Sequence, residues 1–135
     1  MGRVYTNLVA DLIREPKLAH LHLEQSAQRS AKERGGLNIE ALAATSEGAL
    51  LIGFRSPIPE GRALIVPLQN PNELLAGQPP RFGDPILLNL DGLGLRDMGA
   101  AGNGYYLIAG PDEGKVTSRL FFWSENSRSR RSAGS

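Results

Sequence analysis

Apolar residues recur along this chain with two different periods, and the change between them falls at Gly35-Gly36. Before it the spacing is helical. Leu8, Val9, Leu12 and Ile13 repeat at i, i+4, the stripe of an amphipathic helix. Thr6 stands where its hydroxyl can cap a free first-turn N–H. Glu15-Pro16 interrupts the pattern, because proline disfavours helical geometry in the residue before it. A second helix is expected from Pro16 or Lys17 to Arg34. Ala19, Leu23, Ala27 and Ala31 form its apolar stripe, Glu24, Gln28, Lys32 and Glu33 its solvated face, and the glycine pair its stop.

After Gly36 the apolar runs become short and are separated by Gly or Pro, which is the pattern of strands and hairpins. Strands are expected near 37–45, 48–55, 62–69 and 84–90, with a loop and a helical turn over Asn70 to Ala76. Leu93–Met98, Tyr105 to Ala109 and Leu120 to Trp123 follow as three more. Displacing the chain by 56 residues lays Gly36–Leu68 over Gly92–Ser124 without a gap, with seven of 33 positions identical: Gly36/Gly92, Leu37/Leu93, Ala44/Ala100, Gly48/Gly104, Leu51/Leu107, Ile52/Ile108 and Leu64/Leu120. Gly48 and Gly104 are expected in the same turn, at a positive φ. Ile39/Leu95 and Leu42/Met98 keep type. Four antiparallel strands per repeat make a propeller blade. The expected fold is therefore mainly β: two β-propeller-like antiparallel blades, the second incomplete, preceded by an N-terminal helical segment. The divisions are 1–35 for the helical segment, 36–91 and 92–124 for the blades, and 125–135 for a disordered basic tail that includes Arg128, Arg130 and Arg131.

Composition narrows the function classes. The chain has 135 residues, the size of about one domain. Fifteen Lys and Arg against 14 Asp and Glu leave a net charge of +1, which argues against a strongly basic nucleic-acid binder. Cysteine is absent, which removes disulfides, thiolate metal sites and a cysteine nucleophile. No apolar run approaches the roughly 20 residues of a membrane span. Arg3, Asp11, Arg14 and Glu15 break up any signal-peptide apolar region, so the location stays open, with the cytoplasm as default.

Candidate chemistry is sparse. His20 and His22, two apart on a helix, point about 200° from one another and do not share a metal readily. No H-E-x-x-H, G-x-S-x-G or phosphate-binding loop pattern occurs. Glu40 and Arg96 occupy equivalent repeat positions, with Asp97 beside Arg96. Innermost propeller strands line a channel, so Glu40, Arg96 and Asp97 are candidate ligand-binding residues there. The plainer reading is an inter-blade ion pair between Glu40 and Arg96. Calcium is a weak candidate, since two carboxylates fall short of the 6–8 oxygens it takes; tight Ca²⁺ binding is not expected and no other cofactor is called for. Arg55, closing a strand, either binds an anionic ligand through its planar fork or caps loop carbonyls. Among Tyr105, Tyr106, Phe121, Phe122 and Trp123, alternate members should be core, and an exposed set would mark a docking surface.

The stretch GGLNIEALAAT…GALLIGFRSPIPEGRALIVPLQNP (Gly35 to Pro71), RFGDPILLNLDGLGLRDM (Arg81 to Met98), YYLIAGP (Tyr105 to Pro111) and LFFW (Leu120 to Trp123) resembles the domain of unknown function 3616 family. The resemblance covers roughly 35–124, with a weaker match in the helical lead-in, and IGFRSPIPEGRALIVPL is its most specific string. It implies a bacterial protein with a propeller-like domain and no established activity. The chain departs from the family pattern at Glu40-Ala41, where the family has Glu-Gly, and in length, since it looks like the later portion of a longer domain. Two blades leave open edges that pair with other chains. The expectations are thus an uncharacterised propeller-like scaffold or ligand-binding segment, a fragment of a larger domain without catalysis of its own, whose partners are missing blades or further copies of itself. The alternative is a fragment of a metal-dependent propeller hydrolase, esterase- or phytase-like. Self-association or poor solubility is expected of the isolated chain.

Overall fold

The computed structural model describes residues 6–28, 36–110 and 118–124. The expected tail at 125–135 lies outside them, as do Ala31, Lys32 and Glu33 of the second helix. The chain is mainly β, with seven strands in two antiparallel sheets among the described residues. Sheet 1 is a meander of β1 (Asn38–Ala44), β2 (Leu50–Ser56), β3 (Ala63–Leu68) and β4 (Ile86–Leu88), in that order. Sheet 2 is a meander of β5 (Gly94–Ala101), β6 (Gly104–Gly110) and β7 (Arg119–Trp123). A reversal at Asp91-Gly92, both at positive φ, carries the chain from one sheet to the other.

Period-two alternation sorts each strand's side chains. From sheet 1, Ala41, Ala43, Leu51, Ala63, Ile65, Ile86 and Leu88 face Leu95, Met98, Tyr105, Leu107, Ala109, Phe121 and Trp123 of sheet 2 in one buried core. Tyr105 and Trp123 lie with ring centroids 5.5 Å apart at its far side. The sheets approach closely because Gly53 lacks a side chain. A Cβ there would stand 2.8 Å from the Ala41 Cβ and 2.9 Å from Leu95 Cδ1. Alternate aromatics are core, as expected, and the structure shows which: Tyr105, Phe121 and Trp123 are buried while Phe122 turns outward.

The other face of sheet 1 carries a second core. Ile52, Phe54, Leu64, Val66 and Leu68 are buried against Leu12, Leu18, Leu21 and Leu23 of the N-terminal segment. With both faces covered, β3 reads ALIVPL, apolar throughout and buried at every position. Lys17 Nζ fastens the helical layer by donating to the Phe82 carbonyl at 2.9 Å.

Several expectations change here. The first helix forms as α1 (Leu8–Arg14), but its N-cap is Asn7 with no side-chain cap, so Thr6 does not cap it. The second helix is not continuous. Pro16–Leu21 is a 3₁₀ segment, His22 adopts a left-handed φ of 55°, and α2 spans only Leu23–Ala27. The tighter turn and the break at His22 change the phase. Leu18, Leu21, Leu23 and Ser26 face inward, while Ala19 and Ala27 of the expected stripe are exposed. The expected helical turn forms as α3 (Pro71–Leu75).

The two meanders are not in strict 56-residue register. The β1–β2 hairpin closes with Thr45 N–H donating to the Ala49 carbonyl across Ser46–Gly48, whereas β5 and β6 join through Gly102-Asn103. That one extra residue offsets the ladders: Ile52 pairs with Leu42, but Ile108 pairs with Asp97. Leu42 is consequently exposed and Met98 buried. Nor are Gly48 and Gly104 equivalent. Gly48 has a φ of 89° and Gly102 one of 57°, so Gly102 fills the turn role, while Gly104 begins β6.

Candidate functional site

The candidate residues concentrate where β1 begins and β2 ends, and irregular pairing puts them there. Ile39 pairs with Phe54 and Ala41 with Gly53, which leaves Glu40 as an extra residue on β1. Asn38 pairs with Ser56, so Arg55 is an extra residue on β2. Bulges re-aim side chains out of the alternation, and these two meet. Arg55 Nη1 donates to Glu40 Oε2 at 3.5 Å, and Asn38 Nδ2 donates to the same oxygen at 3.2 Å. The pair is partly exposed and contributes at most about 1 kcal/mol.

Arg96 occupies the matching place in sheet 2. Leu95 pairs with Ala109 and Asp97 with Ile108, so Arg96 is the bulged residue of β5. Its side chain lies over Gly110, where a Cβ would collide with the guanidinium. Among the described residues Arg96 makes no ion pair or hydrogen bond, and its Nε is buried without a partner. The expected Glu40–Arg96 bridge is therefore not formed. Glu40 and Arg55 share a ladder, whereas Arg96 belongs to the facing sheet and turns its guanidinium over Gly110 of that sheet. Asp97 pairs with Ile108 on the outer side of sheet 2 and accepts from the Tyr106 hydroxyl at 3.5 Å. His20 and His22 are exposed. No cluster of three or more His, Asp or Glu side chains able to hold a metal occurs among the described residues, and no helix there is long and apolar enough to cross a membrane.

Sequence reasoning missed a cavity on the helical side of sheet 1. It measures about 460 Å³ and lies between α1, the outer face of β1 to β3, and α3. Its sequence signal is Leu42, an apolar residue at an outward position between inward Ala41 and Ala43.

Two face-packed antiparallel sheets with a helical layer on one side place the chain among mainly-β proteins. A family model described as "Protein of unknown function (DUF3616)" matches residues 4–133. The chain belongs to this family, and the match takes in the helical segment as well as both sheets. No curated protein and no solved structure matches.

Proposed function

We propose that this chain is a non-catalytic, propeller-type scaffold unit whose two sheets act as neighbouring blades, and that the outer face of sheet 2 receives a further blade or a second copy. One observation carries this reading. The outer face of sheet 1 is buried at Ile52, Phe54, Leu64 and Val66, with Leu42 at its edge exposed, while on sheet 2 the corresponding face leaves Leu120 74% and Phe122 48% exposed. Cross-strand pairing gathers them into two short rows, Tyr106 with Phe122 and Ile108 with Leu120. Exposed apolar patches of this kind mark interaction sites.

On the same reading, Glu40, Arg55, Arg96 and Asp97 are the positions at which a scaffold ligand would be held, with Arg96 offering unused donors to an anionic group. The hydrolase alternative asks for carboxylates converging on one metal. Glu40 is engaged by Arg55 and Asn38 on sheet 1, and Asp97 by Tyr106 on sheet 2.

Sedimentation of the full chain at tens of micromolar tests the scaffold reading. Self-association is expected, and the double substitution Leu120→Lys with Phe122→Lys is expected to abolish it while far-UV circular dichroism is retained. A wild-type chain that stays monomeric, or a double variant that associates like wild type, overturns the reading.

A further inference from the structure

The cavity above sheet 1 lies apart from the sheet 2 face and asks for a different occupant. Ile52 and Leu68 form its floor, Leu8 and Leu74 flank it from the two helices, and Leu42 and Leu75 stand at its mouth, 56% and 45% exposed. Its volume of about 460 Å³ falls within the roughly 300–1,000 Å³ of ordinary small-ligand sites. Water in this cleft finds few polar partners on its apolar lining, so an apolar ligand displaces it at little cost. Among the described residues that line it, Glu40 is the one ionisable group, and its carboxylate is matched by Arg55 and Asn38. The cavity therefore makes no demand for charge in its occupant. The described residues of its lining supply neither the cationic cluster a phosphate needs nor the array of donors and acceptors a sugar needs.

We infer that this cavity is a binding site for a compact, uncharged, apolar small molecule, aromatic or cyclic aliphatic. The ligand's body lies on Ile52 and Leu68, and Leu42 and Leu75 close over it. The shape favours a small molecule over a protein segment, because the walls come from α1, α3 and the sheet together and form a half-open cleft bounded on three sides. The inference is independent of the scaffold reading, which concerns the opposite side of the molecule.

The test is titration of the full chain with N-phenyl-1-naphthylamine, an uncharged apolar fluorophore, followed by its emission. Saturable binding at one site per chain is expected. Leu42→Asp and Leu75→Asp, both at exposed positions that leave the buried cores intact, should each weaken it by roughly tenfold or more, because each sets a charge at an apolar mouth. Phe122→Asp, on the exposed face of sheet 2, should leave it unchanged. Absence of saturable binding overturns the inference. So does loss of binding in Phe122→Asp with retention in Leu42→Asp, which places the probe on sheet 2. If Leu42→Asp instead dissociates a wild-type oligomer, the cavity is an interface between copies, and the inference fails on that ground. Loss of probe binding in both mouth variants with sedimentation unchanged separates this site from the scaffold face.

Discussion

Sheets 1 and 2 are both antiparallel meanders, yet their outer faces end differently. On sheet 1, Ile52, Phe54, Leu64 and Val66 are sealed beneath the N-terminal segment, each no more than 2% exposed. On sheet 2, Ile108, Leu120, Tyr106 and Phe122 carry the same apolar character with no element of the described chain over them. The difference teaches that alternation marks which side chains can enter a core, and that a second layer decides which of them do. Fully burying a side chain of this size is worth about 1.5–3 kcal/mol relative to leaving it exposed. Sheet 1 collects that gain on two faces and sheet 2 on one.

A matched pair of truncations breaks or sharpens this contrast most strongly. Phe54→Ala removes a fully buried ring from the helical side of sheet 1 and should cost about 3–5 kcal/mol in urea unfolding. Phe122→Ala, measured on the dissociated chain, should stay within about 0.5 kcal/mol of wild type. Comparable losses in the two variants would mean that both outer faces are covered in solution and would erase the contrast.

Gly53→Ala probes the core that the sheets share. Its new methyl would press on Ala41 and on Leu95, and overpacking of this kind costs about 1–3 kcal/mol. A neutral result would show that the sheets slide apart easily, so that the two faces of sheet 1 are less alike in stability than their burial suggests.

The smallest effect is expected at the end of the sheets. Glu40→Gln removes the partly exposed pairing with Arg55 and should change unfolding free energy by less than about 1 kcal/mol. Its signature is a weaker salt dependence of stability than wild type shows. Unchanged salt dependence would mean that the Glu40–Arg55 pairing carries no weight in solution.

Much of this architecture was legible along the chain. Leu8 and Leu12 announced α1, and the Gly- and Pro-bounded apolar runs marked all seven strands within a few residues of their positions. The failures have local causes. The stripe through Ala19 and Ala27 assumed one unbroken helix, and His22 in the left-handed region resets the phase. The pairing of Gly48 with Gly104 assumed equal hairpins, and one additional loop residue offsets the ladders. The expected Glu40–Arg96 bridge followed repeat equivalence, which says where two residues recur but not which way their side chains turn: Arg96 lies over Gly110 of its own sheet. Both residues do recur as bulges, so equivalence found the positions and missed the partner.

Sequence alone determined the period change at Gly35-Gly36, the strands that follow, and the alternation by which every second aromatic of the second meander enters the core. These properties depend on neighbours a few residues away, through backbone geometry and the side-chain period of two. Tertiary structure alone decided that Glu40 meets Arg55 and that Leu42 stands at the mouth of a cavity. Each of these joins groups that are distant along the chain or displaced by a bulge. Their meeting depends on how layers stack and how one extra residue turns a strand, quantities that no local pattern encodes.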